Sequence, residues 1–327
     1  MKDLAIVIPA YKPEFFAQAL ESISNQTCKD FVLYIGDDAS PYDLYSIVKE
    51  YETNIEIVYK RFDENVGGRN LVEQWERCIA LSKNEEWIWL FSDDDVMDKN
   101  CVESFYNKVN CEEFDLCRFD LKLIDDNNNI TGLSCYPELE SVIDYIKSRN
   151  NFEKSSAVTN YIFSRSIYLK ENGFEKFPLA WCSDDATWFK FGREKGIFTI
   201  NGTFVSWRNS SENISNNNKD FKLKKIKAQI QFLSWLYDFN IFKLNTTLFI
   251  GKNEFRKFSY RWLFLITIQL NLSLFQSIYF SKLVSNLYQS SFFSEFFFFY
   301  KKNISNKYEI ISVFYKPIKK ITDSISR

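Results

Sequence analysis

The chain has 327 residues, 46 % hydrophobic and 26 % charged, which suits a globular protein with a sizeable core, although 33 Phe lift the aromatic share to 18 %. Histidine is absent, which excludes Ser-His-Asp and Cys-His catalysis and His-ligated zinc, and leaves carboxylates, a hard metal ion, Lys, Tyr and Cys to carry any chemistry. The net charge of −2 conceals a split: residues 1–220 hold 24 Lys+Arg against 38 Asp+Glu, net −14, and residues 221–327 hold 17 against 5, net +12, an asymmetry that asks for an explanation in terms of partners.

The opening run LAIVIPAY follows one Lys and is cut by Pro9, so it reads as a first strand rather than a secretory segment. DFVLYIGD, NIEIVYKR and EWIWLFSD follow as strands rich in β-branched and aromatic residues. Between them PEFFAQALESISNQ, PYDLYSIVKEYE and GRNLVEQWERCIALSKN carry apolar positions at helical spacing, as with Phe16, Ala19, Leu20 and Ile23. This alternation implies an α/β fold, a mostly parallel sheet with flanking helices. Ligands of such sheets bind beyond the C-terminal strand ends, which places IPAYK, GDDAS and SDDDV on one rim.

From 101 to 210 the reading is a helix (CVESFYNKVN), an extended stretch with a polar turn (FDLCRFDLKLIDDNNNITG) and mixed signals in AVTNYIFSRSIYLKENGF. A helix over DDATWFKFGREKG ends at Gly196, and IFTINGTFVSWR is a hairpin turning at Asn201-Gly202. The polar loop NSSENISNNNKD sets the main boundary, between a domain at 1–218 and a helical region at 219–327. There KDFKLKKIKAQIQFLSWLYDF is an amphipathic helix, while WLFLITIQLNLSLF and SFFSEFFFFYKK are too short to cross a bilayer. The seven cysteines, odd in number and without CxxC pairs, read as reduced thiols in a cytoplasmic protein.

Five clusters could carry chemistry. Asp93, Asp94 and Asp95 at a strand end repel one another unless a cation is bound, which suggests a Mg2+ or Mn2+ site completed by diphosphate oxygens; the alternative is a solvated helix start where Asp caps and meets the dipole. Asp37 and Asp38 follow another strand, suited to a base or ribose edge or to a cap. In ENVGGRN, Gly67 and Gly68 permit close backbone approach and Arg69 offers a cationic fork, or the segment is a plain turn. Asp184 and Asp185 begin a later helix, fit to accept a proton or to cap. Arg208, with the hydroxyl and amide groups of SWRNSSENIS, either closes on phosphate or belongs to a linker.

In this order VIPAYK, IGDDAS, ENVGGRN, FSDDDV and SDDATWFKFG resemble the family 2 glycosyltransferases of the GT-A type, bacterial and inverting, across roughly residues 1–210. The resemblance implies a GT-A-like (Rossmann-like) catalytic domain, with a nucleotide-sugar half near 1–100 and an acceptor half near 101–218. It implies that Pro9, Ala10 and Tyr11 line the nucleoside pocket, Tyr11 against the base, that Asp38, with Asp37 beside it, meets the uracil edge, and that Asn65, Gly67 and Arg69 meet the nucleotide. Asp93 to Asp95 hold ribose and metal: Asp94 and Asp95 in one alignment, Asp93 and Asp95 on a strict DxD reading. The spacing to Trp188 favours Asp184 as base, with Asp185 fitting nearly as well, and Arg208 stands where many members place a His against the diphosphate.

The expected activity is inverting transfer from a UDP-sugar to a hydroxyl of a saccharide acceptor, lipid-linked, in surface polysaccharide or lipopolysaccharide assembly, with Mn2+ or Mg2+. The basic, aromatic C-terminal third suits either an anionic membrane surface or packing on the acidic half; nucleic acid does not suit it. Two rival readings fit parts of the pattern. A sugar-phosphate nucleotidyltransferase normally has a Gly-rich basic loop where this chain reads PAYKPEFF, and a lectin-like scaffold would show no metal-dependent turnover.

Overall fold

Seven residues, Leu4–Ala10, all buried but Pro9, form β1, and their continuous apolar run lets both faces of the strand pack under helices. The computed structural model describes residues 2–210, 221–244 and 248–299, apart from the side chains of 264–269. The elements after β1 are α1 (Phe16–Ser24), β2 (Phe31–Asp37), α2 (Leu44–Val48), β3 (Ile57–Arg61), α3 (Leu71–Ile79), β4 (Trp87–Leu90), β5 (Val96–Met97) and α4 (Cys101–Val109). Next come β6 (Leu116–Ile124), β7 (Ile130–Ser134), β8 (Leu139–Glu140), α5 (Val142–Asn151), β9 (Tyr161–Ser164), α6 (Arg165–Lys170), α7 (Ser183–Phe191) and β10 (Ile197–Arg208).

The sheet runs β3-β2-β1-β4-β9-β6-β10-β5, with β7 on β6 and β8 on β10. Its first four strands in this order pair in parallel, so Ala10, Asp37 and Leu90 end on the same edge. From β1 the chain winds outward through β2 and β3, then returns to lay β4 on the other side. The crevice between β1 and β4 is therefore the topological switch point where open α/β sheets bind ligands. The helices follow from the sequence: α1 buries Phe16, Ala19, Leu20 and Ile23. In α3 the Asn70 side chain caps Glu73 N at 3.3 Å while Val72, Trp75, Cys78 and Ile79 go inward. Each fully buried Leu, Ile or Phe contributes roughly 1.5–3 kcal/mol.

Two local expectations are corrected. Asn201-Gly202 does not turn a hairpin: both arms of IFTINGTFVSWR belong to β10 and pair in parallel with β6, the register passing from Ile200↔Phe119 to Phe204↔Asp120. The intervening residues bulge out, Gly202 at φ 77°, because the buried Asp120 carboxylate accepts Gly202 N at 3.1 Å, Asn201 Nδ2 at 3.4 Å and Tyr136 N at 3.1 Å. Helix α7 stops at Phe191, capped by Gly192; Gly196, at φ 81°, closes the next turn, where a Cβ would sit 2.9 Å from Glu140 O.

The chain divides into two compact units, Met1–Asn216 and Asn217–Arg327. The second contains α8 (Lys222–Phe242), α9 (Gly251–Leu270) and α10 (Leu274–Tyr288), and is helical again over 292–299. Helix α8 turns Ile226, Phe232, Leu233, Leu236 and Phe239 inward, and a Ser273/Gln276 capping box starts α10. Among the described residues no helix is long and apolar enough to cross a membrane.

Candidate active site

The switch-point rim borders a cleft of about 440 Å3. Pro9, Tyr11 and Lys12 line it from the end of β1, Asp38 from β2, Asn65, Gly67 and Gly68 from the loop before α3, and Asp93 and Asp94 from the end of β4. Gln74 and Trp75 of α3, Val158 ahead of β9, and Trp207 of β10 also line it. Ala10 is buried beneath, and its carbonyl accepts Asp38 N at 2.9 Å, which ties the two strand ends together.

The three consecutive aspartates have three different environments. Asp93 Oδ2 accepts the backbone N–H of Tyr11 and Lys12 at 2.8 and 2.9 Å, locking the β4 end to the β1 end; burial raises its pKa against those donors. Asp94 lines the cleft and no other residue donates a hydrogen bond to its carboxylate among the described residues. Burial, then the neighbouring Asp93 charge, pushes it up to about 7. Asp95 lies fully buried under the loop. Its Oδ1 accepts Arg208 N at 2.8 Å and its Oδ2 has no partner among the described residues; burial, then Asp94, holds it well above the usual carboxylate range.

Arg208 is not on the cleft wall. It is fully buried with its guanidinium 4.0 Å from the Phe15 ring centre. Its N–H groups donate to Asp94 O at 2.9 Å, Asp125 O at 2.9 Å, Asn128 Oδ1 at 2.8 Å and Gln18 Oε1 at 3.0 Å. It braces the aspartate loop against the β6–β7 hairpin tip and α1, a different place from the diphosphate contact expected of it. The polar loop beyond Ser210 lies outside the described residues.

On the nucleoside side, Asp38 and Asp37 separate. Asp38 Oδ1 and Oδ2 accept Val66 N and Gly67 N at 2.7 and 2.8 Å, with Arg77 also on Oδ1. Asn65 Oδ1 accepts Gly68 N at 2.9 Å, and a Cβ on Gly67 would meet Asp38 Oδ2 at 2.6 Å, so glycine is required by this close approach. Asp37 instead is fully buried and engaged by Ser40 N at 2.8 Å, Tyr59 OH at 2.5 Å and Arg61 Nη1 at 2.8 Å; it anchors β3 rather than facing a ligand. Arg69 points to solvent, paired with Glu64 at 2.7 Å. The guanidinium that reaches the rim is that of Arg77, which α3 carries over the Phe62 ring at 3.9 Å.

The later acidic pair also splits. Asp185 is buried and holds Arg149 by both oxygens, Nε to Oδ1 at 2.7 Å and Nη2 to Oδ2 at 3.0 Å. No side chain donates to Asp184 among the described residues; burial, then the Asp185 charge, pushes it up to about 7. Leu179, Ala180 and Cys182 precede it at φ 61°, 53° and 61°, left-handed conformations that cost roughly 1–3 kcal/mol each and gather where a side chain must be aimed. Trp188, one turn on, stacks on Tyr161 at 4.5 Å. Because β9 is antiparallel to β4, with Ile162 opposite Trp89, Tyr161 sits at the rim end of β4. Tyr161 OH donates to Tyr145 OH at 2.9 Å, and Tyr145 OH to Asp185 Oδ1 at 3.3 Å, so the first turn of α7 is tied to that rim.

Arg77, Arg149, Trp75 and Trp207 are site or supporting residues that the motifs do not disclose. Arg77 and Asp38 lie 39 positions apart, Arg149 and Asp185 36 apart, and only the fold pairs them.

Among the described residues no three acidic or thiol side chains gather closely enough to hold an ion by themselves. A hard divalent ion, however, needs one or two protein carboxylates when phosphate oxygens and water complete its shell. Asp94, together with the Asp93 oxygen not held by the β1 loop, supplies that number; burial raises both pKa values, joined at Asp94 by the Asp93 charge, and a cation would offset that cost to the ionised pair. The donor set fits Mg2+ or Mn2+.

Comparison with known proteins points to one family. The profile of Glycosyl transferase family 2 matches residues 5–172. An uncharacterized glycosyltransferase of Mycoplasma pneumoniae is 25 % identical over 181 residues, 54 % of this chain and 56 % of that protein, so the chain spans little more than half of the curated relative it matches. Among solved structures, S. aureus TarS 1–349 in complex with UDP-GlcNAc superposes with a TM-score of 0.62 at 14 % identity, covering 88 % of this chain and 80 % of that one. A mannosyltransferase from Pyrobaculum calidifontis in complex with GDP-Man and Mn2+ gives 0.51 at 11 %, covering 88 % and 76 %. At these identities the likeness is one of fold.

Proposed function

The chain belongs to glycosyl transferase family 2, and from that premise we propose that it transfers a sugar from a UDP-sugar to a hydroxyl of a saccharide acceptor with inversion at the anomeric carbon. We place the acceptor on a lipid carrier, in assembly of a bacterial surface polysaccharide or lipopolysaccharide. The observation that carries the reading is the pair Asp93–Asp94, two adjacent carboxylates lining the cleft at the switch point of the parallel sheet.

The residues divide the work. Tyr11, exposed on the cleft wall, offers a ring to the base, and the Asp38–Val66–Gly67 clasp shapes the nucleoside end. Asp93 and Asp94 would hold Mn2+ or Mg2+; when bound, such an ion offsets charge developing on the departing diphosphate. Asp184 takes the proton from the acceptor hydroxyl as its oxygen bonds to the anomeric carbon, while the bond from that carbon to the diphosphate oxygen breaks with its electron pair leaving on the nucleotide. Asp185, ion-paired with Arg149, positions Asp184 and leaves it the carboxylate without a side-chain donor among the described residues. Arg208 acts as a brace behind the aspartate loop.

A panel of nucleotide sugars tests this by turnover and by melting with and without Mn2+. At least one UDP-sugar should be hydrolysed or transferred only with metal, and UDP with Mn2+ should raise the melting temperature as a ligand of the native state does. Metal-independent turnover, or none with any UDP-sugar, would reject the reading.

A further inference from the structure

In the described part of the unit Asn217–Arg327, polar side chains are buried beside Phe280, Val284, Leu287 and Tyr288 while several apolar ones are exposed. Glu295 is fully buried, ion-paired with Arg256 at 2.8 Å and accepting hydrogen bonds from Tyr260 and Ser290 at 2.6 Å each, and α10 turns Ser277, Ser281 and Ser285 inward. The outward side of α10 carries Leu274, Phe275, Ile278 and Tyr279 at 49, 83, 40 and 43 % exposure. Leu274, Ile278 and Lys282 follow one another at steps of four along one face, with Phe275 and Tyr279 on the adjacent line, and Lys282 is exposed at the end of the stripe. Phe293 and Phe297, again four apart, are 67 and 65 % exposed on the helical segment that follows.

Single exposed apolar residues are ordinary. A stripe of them on two successive helices, with serines and a glutamate turned in, marks a face that meets something other than water. Charge selects the partner. Among the described residues of this unit six exposed Lys and Arg stand against two exposed acids, Asp238 and Glu254, a surface that repels a second copy of itself and attracts an anionic one. No described helix is long and apolar enough to span a membrane, so the contact is interfacial.

We propose that the outward face of α10 and the Phe293–Phe297 segment form a docking surface for anionic lipid, the aromatic rings entering the headgroup region and Lys282 meeting lipid charge.

Flotation of the full chain with vesicles of phosphatidylcholine alone, or mixed with phosphatidylglycerol, tests it independently of any activity. The chain should float with the mixed vesicles, less as salt is raised, and Phe275→Ser/Phe293→Ser should bind at least about tenfold more weakly, the factor that 1.4 kcal/mol represents. Lys282→Glu should weaken binding to the mixed vesicles only. Both variants alter exposed side chains, and their circular dichroism should match the wild type. No flotation with either vesicle, equal flotation of the double variant, or a self-association lost in the double variant while vesicle binding persists would each overturn the proposal.

Discussion

Asp184→Asn should lower kcat/KM by about 10²- to 10⁴-fold and, in the absence of metal, raise the melting temperature at pH 8. The two effects share one cause. Burial and the Asp185 charge push the Asp184 carboxyl up to about 7, whereas in the unfolded chain it titrates near the ordinary Asp value of about 4. Between those values the folded protein keeps a proton that the unfolded chain has released, so stability falls as pH rises through this window, and the full cost is present above pH ~7. The isosteric amide removes that cost together with the proton acceptor, and each kcal/mol recovered raises the melting point of a unit this size by about 2–4 °C. In the wild type, kcat/KM at saturating metal should climb with pH and level off above about 7, as the base ionises. An Asp184→Asn enzyme of normal activity, or one that loses activity and melts lower, would contradict the role.

Asp185→Asn should do the opposite to stability. Arg149 is held by both Asp185 oxygens at 2.7 and 3.0 Å inside the protein, and removing one partner of a buried ion pair costs about 3–5 kcal/mol because the other charge is left uncompensated. Urea unfolding of the variant should show that loss. Residual activity should follow a pH profile whose acid limb has moved below the wild-type position, since the Asp185 charge that raises Asp184 is gone and the Arg149 cation now lowers it unopposed. Were Asp185 the base, its amide variant would instead lose all turnover with its acid limb abolished.

The parallel half of the fold was legible because local and global signals agreed. The segments that became β1, β2 and β4 are apolar runs of strand length, and α1 and α3 between them repeat at helical spacing. Asn201-Gly202 misled because a pair of residues that turns a hairpin in isolation was captured by Asp120, a buried acceptor from a neighbouring strand. The candidate site was legible by residue type and order, not by orientation. Three acidic clusters and two arginine-bearing segments could be named, yet whether a carboxylate is already satisfied depends on partners far along the chain. Asp37 meets Arg61 and Tyr59, Asp185 meets Arg149, and Asp95 meets the Arg208 backbone. Arg69 and Arg77 look equivalent in sequence; the loop before α3 leaves the first on Glu64, and the helix carries the second to Asp38.

The most direct measurement is a crystal of the protein soaked with Mn2+ and UDP, with the metal located by its anomalous scattering. The account predicts manganese on Asp94, with Asp93 beside it, bridging to the diphosphate, and the uracil between Tyr11 and the Asp38 clasp. Manganese and nucleotide bound elsewhere, or UDP seated in the cleft with both carboxylates bare of metal at saturating Mn2+, would contradict it.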